Sequence, residues 1–144
     1  MPGINAKGTQ FLRDTAVPGV FEAIANVSDI SGPNRSREAI EVTTHDSPNN
    51  YREFIKGLKD GGEVELTLNY DPASATHASL DADFEEDDLR DYQVIMLPGT
   101  VDEHTWEFSA LITDLGDEYP TDAQMERTAT FKISGKPVLT ATGA

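Results

Sequence analysis

The run from Glu63 to Tyr70 constrains the fold of this 144-residue chain more than any other feature. Apolar and polar residues alternate strictly along it, and the apolar set is Val64, Leu66, Leu68 and Tyr70. Successive side chains of a β-strand point to opposite faces, so the run predicts a strand with one buried face and one face in water. The apolar face of such a strand needs a second layer of structure to cover it.

The segment before this strand predicts another strand and then a short helix. Ala39 to Thr44 alternates in the same way. An apolar stripe with the i, i+3, i+4, i+7 spacing of an amphipathic helix follows: Tyr51, Phe54, Ile55 and Leu58. Ser47 and Pro48 suit the start of that helix, and the pair Gly61 and Gly62 suits its end.

The same signals divide the rest of the chain. Residues Gly8 to Val27 predict a hairpin that turns at Val17 to Gly19, and Ser28 to Arg37 predicts a loop. A helix is predicted over Ala73 to Glu86, with one face formed by Ala73, His77, Leu80 and Phe84. Strands and one intervening loop, Leu115 to Ala123, complete the C-terminal half: Tyr92 to Leu97, Thr105 to Thr113, Glu126 to Ser134 and Val138 to Thr140.

These elements predict a single domain over residues 1–144, mainly β with α. The expected architecture is an antiparallel β-sandwich or barrel with a flanking α-helix and a long inter-strand loop, residues 43–62, that holds the short helix. The predicted core comprises Tyr51, Phe54, Ile55, Leu58, Val64, Leu66, Leu68, Tyr70, Leu80, Phe84, Trp106, Phe108, Ile112, Phe131 and Ile133.

The charge balance limits the possible partners. The net charge is −15, which disfavours nucleic-acid binding because phosphates attract cations. Such acidity suits a surface that must not adhere to DNA, and it equally suits a protein adapted to a salty host cytoplasm. No apolar run approaches the length of a membrane span and no secretory leader is evident, so we expect no membrane association. The chain has no cysteine, which excludes disulfides and thiol catalysis.

No residue pattern indicates catalysis, a metal or a cofactor. The acidic run from Asp81 to Asp88 has Glu86 where a calcium loop needs glycine, so we interpret it as a solvated helix end. The three histidines lack the spacing of a zinc motif: His45, His77 and His104. His45, Asp46 and Ser47 are adjacent in sequence and cannot form a catalytic relay. We therefore expect no enzyme activity.

Several short segments carry a resemblance to a known family. In chain order they are Val27 to Pro33, Asp46 to Pro48, Tyr51 to Phe54, Gly57 to Asp60, Gly62 to Val64 and Asn69 to Pro72. Their order and spacing resemble the tail tube (major tail) protein of long-tailed, non-contractile, lambda-like siphoviruses. Together they span residues 27–72, about a third of the chain, and Phe131 to Pro137 is similar to the closing strand of that family.

The resemblance implies assembly rather than chemistry. Members form hexameric rings that stack into a tube in the virion tail after assembly in the host cytoplasm. The tube encloses a tape-measure protein, meets tail terminator and tail-tip proteins, and conducts viral DNA into the host without binding it specifically. The resemblance also implies that a loop contacts the next ring, and we assign that role to Thr44, His45, Asp46, Ser47, Pro48, Asn49 and Asn50. The N-terminal arm, residues 1–9, and the loop Gly116 to Ala123 rank second.

Four glutamates on the wet faces of predicted strands are candidates for an acidic lumen: Glu41, Glu63, Glu65 and Glu107. Carboxylates there would repel phosphate and let DNA slide. Lys132 on a similar face departs from this pattern, so either that face is not all lumen or the lysine pairs with a carboxylate. Two alternatives stay open: the inner-tube protein of a contractile tail or secretion system, and a free-standing β-sandwich binding module.

Overall fold

The computed structural model describes residues 3–5, 7–15 and 20–143. Its strands and its α-helix follow in chain order: β1 (Gln10–Asp14), β2 (Phe21–Ala23), β3 (Val27–Ser31), β4 (Ser36–Glu41), β5 (Phe54–Asp60), β6 (Glu63–Asn69), α1 (Ala75–Glu85), β7 (Arg90–Met96), β8 (His104–Glu118) and β9 (Glu126–Ala141). Seven of these strands form one antiparallel sheet in the order β2-β1-β7-β8-β9-β6-β3, while β4 and β5 pair only with each other.

The large sheet folds over on itself. Strands β8 and β9 are its two longest; β7 pairs with the first half of β8, and β6 pairs with the first half of β9. Phe11 of β1 packs on Phe131 of β9, with ring centroids 4.9 Å apart, although two strands separate them in the sheet order. This confirms the mainly β class with one α-helix, and the sheet is not closed into a barrel.

The core lies between the two halves of the folded sheet. Among the predicted core residues, those that are buried are Val64, Leu66, Leu68, Leu80, Phe108, Ile112, Phe131 and Ile133. Tyr70 and Trp106 are half-buried and pack against this core. Phe11, Ile24 and Tyr92 also belong to it, although the sequence reasoning did not name them.

The helix α1 lies within the predicted range, but its buried face differs from the predicted one. His77, Leu80 and Asp83 are buried, whereas Phe84 is 44% exposed, so its assignment to the core is wrong. Asp83 faces the sheet because it binds Arg13 of β1. Phe84 follows it by about 100° around the helix and therefore turns towards solvent.

The predicted helix over residues 51–58 is wrong, because this segment enters β5. Strand β5 pairs with β4 in register from Ser36–Asp60 to Glu41–Phe54. The four residues of the predicted stripe lie on the surface and not in the core: Tyr51, Phe54, Ile55 and Leu58. An amphipathic helix is stabilised mainly by burial of its stripe, and Gly57 in its interior would cost about 1 kcal/mol. Pairing with β4 instead provides hydrogen-bond partners for the backbone N–H and C=O groups of this segment.

Three smaller predictions also need correction. Residues 115–118 continue β8 rather than forming a loop, since they pair with β9. The predicted loop from Ser28 to Arg37 holds most of β3 and the start of β4. Gly62 does not end a helix: its φ is +79°, and an added Cβ would lie 1.9 Å from the Asn34 carbonyl oxygen, so only glycine fits there. The predicted turn at Val17 to Gly19 lies outside the described residues, although β1 and β2 pair as a hairpin requires.

Candidate assembly interface

Residues 36–60 form a long hairpin that extends from the body of the domain, and we call it the hairpin arm. Its β4 and β5 pairing continues past the strands, where the Val42 N–H donates to the Glu53 carbonyl. Every residue of β4 is exposed, as is all of β5 except Gly57. At 3.3 Å per residue the stretch from Ser36 to Val42 spans roughly 20 Å. The arm is therefore a projection with water on both faces.

The predicted ring-stacking residues form the tip of this arm. Pro48–Asn50 make one turn of 3₁₀ helix, and Asn49 and Asn50 both have positive φ values near 60°. Ser47 precedes that turn, and its hydroxyl accepts a hydrogen bond from the Thr44 N–H at 3.0 Å rather than capping a helix. Residues 44–50 thus form a compact tip at the far end of the arm.

The two faces of the hairpin arm differ in chemistry. Ile40 pairs with Ile55 on one face and Val42 follows beside them, so this face carries a group of apolar side chains, with Glu38, Glu53 and Asp60 around it. Ile40 and Ile55 are 41% and 53% exposed, respectively. The opposite face holds the pairs Arg37–Lys59, Ala39–Lys56 and Glu41–Phe54, so it carries three cations and one carboxylate. We call this second face the basic arm face.

Two polar contacts hold the root of the arm against the body. The Arg35 guanidinium lies over the Trp106 ring, 4.9 Å from its centroid. Lys132 Nζ donates to Asp60 Oδ1 at 2.8 Å, and Asp60 Oδ1 also accepts from the Gly62 N–H. The Lys132 ammonium lowers the pKa of Asp60, and the Gly62 N–H acts in the same direction. The lysine that departed from the acidic pattern therefore pairs with a carboxylate.

Four neighbouring strand segments share a polar outer face. Glu63 and Glu65 stand beside Lys132 and Thr130 of β9, which stand in turn beside β8. The register places these residues on this polar sheet face: Asp29, Ser31, Glu63, Glu65, Thr67, Asn69, Asp114, Gly116, Glu118, Glu126, Thr128, Thr130 and Lys132. Glu118 and Glu126 are directly opposite each other, which is unfavourable within one chain because like charges repel.

Only two of the four predicted lumen glutamates lie together on this face. Glu63 and Glu65 do, but Glu107 lies on the other half of the folded sheet, between Gln93 and Val138. Glu107 precedes Leu111, which lies beside Lys132, by four positions along β8, so the offset is about 13 Å. Glu41 lies on the hairpin arm.

Sequence reasoning missed four further carboxylates on the polar sheet face: Asp29, Asp114, Glu118 and Glu126. For Asp114 and Glu118 only the strand register could have revealed this, because a β-bulge in β8 between Ile112 and Asp114 shifts the alternation.

Buried ion pairs fix α1 to the sheet. Asp83 accepts from Arg13 Nε at 2.8 Å, and Arg90 Nε lies 3.0 Å from its Oδ1. Tyr92 donates to the same carboxylate, and burial raises the pKa of this phenol. The hydrogen bond with Asp83 raises the pKa of Arg13. This cluster is enclosed and structural, which leaves little room for a ligand.

A second ion cluster lies at the other end of α1. Arg127 binds Asp117 through Nε at 2.6 Å, and its guanidinium lies 4.0 Å from the Tyr70 ring centroid. The hydrogen bond from Arg127 lowers the pKa of Asp117. His77 Nδ1 accepts from the Asp71 N–H and His77 Nε2 lies 2.7 Å from the Ala25 carbonyl oxygen, so both ring nitrogens are engaged.

The acidic run from Asp81 to Asp88, which was predicted to be a solvated helix end, is only partly exposed to solvent. Within it, Asp83 is buried and Glu86 binds Arg90. Glu85, Asp87 and Asp88 are exposed and form no ion pair with another described residue. No basic residue lies in the last turn of α1. We call these three carboxylates the acidic helix end.

The described residues contain no grouping of three histidine or carboxylate side chains arranged to hold a metal ion. His45, His77 and His104 lie in the arm tip, in α1 and at the start of β8, respectively. No helix in the described part of the chain is both long enough and apolar enough to cross a bilayer.

Solved structures with the same fold come from gene transfer agent particles, a contractile injection system and a tail tube. The chain is similar to the subunit of the tail of an empty gene transfer agent (GTA) particle refined with C6 symmetry, with a TM-score of 0.78, 20% identity, and coverage of 96% of this chain and 100% of that chain. A chain of the sheath/tube terminator of the extracellular contractile injection system PVC gives a TM-score of 0.73 at 15% identity, covering 98% and 99%. The SPP1 tail tube gives 0.70 at 10% identity, covering 94% and 78%.

These identities are low enough that they show the fold alone. No curated protein sequence matches the chain. The family model described as "Lambda phage tail tube protein, TTP" matches residues 5–140, nearly the whole length. The resemblance carried by the segments between Val27 and Pro72 is thereby confirmed, and the chain belongs to the lambda phage tail tube protein family.

Proposed function

We propose that this chain is the structural subunit of a virion tail tube and that it catalyses nothing. Its copies form hexameric rings that stack into a tube, assembled in the host cytoplasm around a tape-measure protein. Tail terminator and tail-tip proteins close the tube at its ends. During infection the tube conducts viral DNA into the host.

The observation that carries this proposal is the hairpin arm. An isolated two-stranded hairpin is at best marginally stable in water, because it buries too little apolar surface. This arm nevertheless presents Ile40, Ile55 and Leu58 to solvent, and Leu58 is 86% exposed. Within the described chain only the root of the arm is held by the body. A neighbouring copy that covers the apolar side chains would supply the burial that the arm lacks.

The polar sheet face supports the assignment of a bore. It carries six carboxylates, and its one cation, Lys132, is engaged by Asp60. A wall with this charge repels phosphate, so DNA passes without adhering. We therefore restrict the proposed lumen residues to Glu63, Glu65 and the four other carboxylates of the polar sheet face. Reversal of Glu63 and Glu65 to lysine should slow DNA ejection, and an unchanged ejection rate would contradict the assignment.

The sheet edges support ring closure. The large sheet ends in β2 and β3, which are short strands with one unpaired edge each in the described chain. Unpaired edges invite association with another chain, and closing them between six subunits removes that hazard.

The arm tip provides the direct test of stacking. We would replace residues 44–50 with a short Gly-Ser turn and examine purified protein by negative-stain microscopy and size-exclusion chromatography. We expect the variant to form rings that no longer stack, while the parent protein forms tubes. Unchanged tubes would refute the role of the tip, and a parent protein that stays monomeric even with its tail partners would refute the tube proposal itself.

The inner-tube protein of a contractile machine is the second candidate. The fold likeness to the PVC chain, with 98% of this chain covered, favours it. A contractile tail needs a sheath around its tube, so co-purification with a sheath protein would favour this alternative over the non-contractile one. A free-standing β-sandwich binding module would instead remain a soluble monomer under all conditions.

A further inference from the structure

Charge is divided unevenly between the hairpin arm and the rest of the chain. The arm holds four lysines and arginines and five acidic residues, so its charge is −1. The remaining residues hold seven cationic and 21 acidic side chains, so their charge is −14. Two copies should repel each other strongly through their bodies, whereas an arm can approach a neighbouring body without that penalty.

The cations of the arm are concentrated on one face. The register places Arg37, Lys56 and Lys59 together on the basic arm face, where Glu41 is the only carboxylate. All three cations are exposed, and none forms an ion pair with a described residue. Phe54 lies at the tip-side end of this face, two residues from Lys56 and opposite Glu41, and is half exposed, at 54%. The face therefore presents positive charge with an aromatic ring at one end.

The acidic helix end has the complementary chemistry. Its three carboxylates lie beside two exposed apolar residues, Phe84 and Leu89. These carboxylates also oppose the negative end of the α1 dipole, and no basic residue in the last turn offsets them. A cationic partner would relieve this unfavourable charge. The other large acidic surface, the polar sheet face, is reserved for the bore under the proposed function, so an arm cannot lie across it.

We propose that the basic arm face docks on the acidic helix end of a second copy of this chain. Lys56, Lys59 and Arg37 neutralise Glu85, Asp87 and Asp88, while Phe54 packs near Phe84 and Leu89. The contact holds successive copies together against the repulsion of their acidic bodies. This docking deepens the proposed function and rests on it, because it names the surface that receives the arm.

A reciprocal charge swap tests this contact. One variant carries Lys56→Glu and Lys59→Glu, and the other carries Asp87→Lys and Asp88→Lys. Each variant alone should need about a tenfold higher concentration to assemble, because its arm and its helix end then have the same sign. A one-to-one mixture should assemble like the parent, because each arm then finds an opposite charge on the other protein. Sedimentation velocity and negative-stain microscopy measure the assembled fraction.

A control separates this contact from a change in net charge. The variant Lys7→Glu with Lys136→Glu makes the same change in net charge on cations outside the arm, and it should assemble more readily than the arm variant. Thermal unfolding of each variant confirms that its fold is intact. If either charge-swapped variant assembles as the parent does, the docking proposal is wrong, yet the tube proposal stands. If both fail and the mixture does not recover, the arm docks elsewhere and the helix-end assignment is wrong.

The salt dependence of assembly gives a second test, because net charge alone and the docking contact predict opposite effects of salt. Net charge alone predicts that salt promotes assembly by screening repulsion between the bodies. The docking contact predicts that raising ionic strength from about 0.1 M to about 1 M weakens assembly of the parent more than that of the arm variant, because the Debye length falls from about 10 Å to about 3 Å. An equal salt dependence in the two proteins would contradict the docking proposal.

Discussion

The body of this domain and its hairpin arm both consist of antiparallel β-strands, but the apolar side chains of the body are buried and those of the arm are exposed. In the body, Val64, Leu66 and Leu68 of β6 are fully buried beneath the opposing half of the sheet. In the arm, Ile40 and Ile55 face each other across two strands with nothing above them in the described chain. The body is stable by its own packing, whereas the arm lacks such packing and, under the proposed function, gains it from another molecule.

This difference explains why exposed apolar side chains are concentrated on the hairpin arm. Monomeric proteins rarely expose contiguous apolar patches, and such patches commonly mark interfaces. Tyr51 is 75% exposed beside the arm strands, and Leu58 is almost fully exposed near the arm root. The chain belongs to the lambda phage tail tube protein family, and under the proposed function such a patch is exposed only before assembly.

Removing one aromatic ring from each region should give the largest contrast. Phe131→Ala empties the centre of the core, where Phe11 and Tyr92 contact its ring, and it should lower the free energy of unfolding by about 3–5 kcal/mol. Phe54→Ala in the arm should lower it by less than about 0.5 kcal/mol, because that ring already faces water. Urea denaturation of monomeric protein measures both. A large loss in the arm variant would show that the arm packs within its own chain.

The ion cluster beneath α1 should rank next. Asp83→Asn keeps the shape of the side chain but leaves Arg13 and Arg90 close together without their shared carboxylate. We expect a loss of about 3 kcal/mol in the free energy of unfolding, because the two adjacent cations then keep only their more exposed partners, Glu22 and Glu86. Asp46→Asn at the arm tip is the matched control and should change little. Equal effects of the two substitutions would place the cluster outside the stabilising body.

Acid should weaken the body through Asp117. Arg127 holds the folded-state pKa of this carboxyl below its ordinary value, so its contribution is fully present above about pH 4 and is lost as pH falls through the folded pKa. Asp117→Asn should remove that part of the acid dependence, at a cost of roughly 1 kcal/mol at neutral pH. Asp122→Asn, an exposed residue in the same region, serves as the control. Stability measured from pH 6 to pH 2 should decline less steeply in the Asp117 variant, and an identical decline would contradict the assignment.

The sequence predicted the body better than the arm, and the reason is physical. Strict alternation identified β6 and most of β8 because one face of each is buried and the other is wet. In the arm both faces meet water, so no burial enforces a period of two, and the spacing from Tyr51 to Leu58 imitated a helix. The continuation of β8 through Glu118 was missed because Gly116 and the acidic residues around it are typical of turns.

The candidate surfaces were predicted unevenly for a related reason. The ring-stacking tip came from the family resemblance, and its role remains a prediction that the proposed loop replacement would test. Glu63 and Glu65 were found because they alternate with buried residues of the same strand. Their companions on β3, β8 and β9 depend on register, which no local pattern encodes.

Hydrogen exchange at the arm amides tests most directly the claim that the arm is completed by a second molecule. The measurement compares residues 36–60 with β6 in monomeric protein and in assembled tubes. We expect arm amides in the monomer to exchange within the shortest labelling time, because little buried apolar surface supports their pairing, while β6 stays protected. In the tube the arm should become as protected as β6. Strong protection of the arm in the monomer, or continued rapid exchange in the tube, would contradict this account.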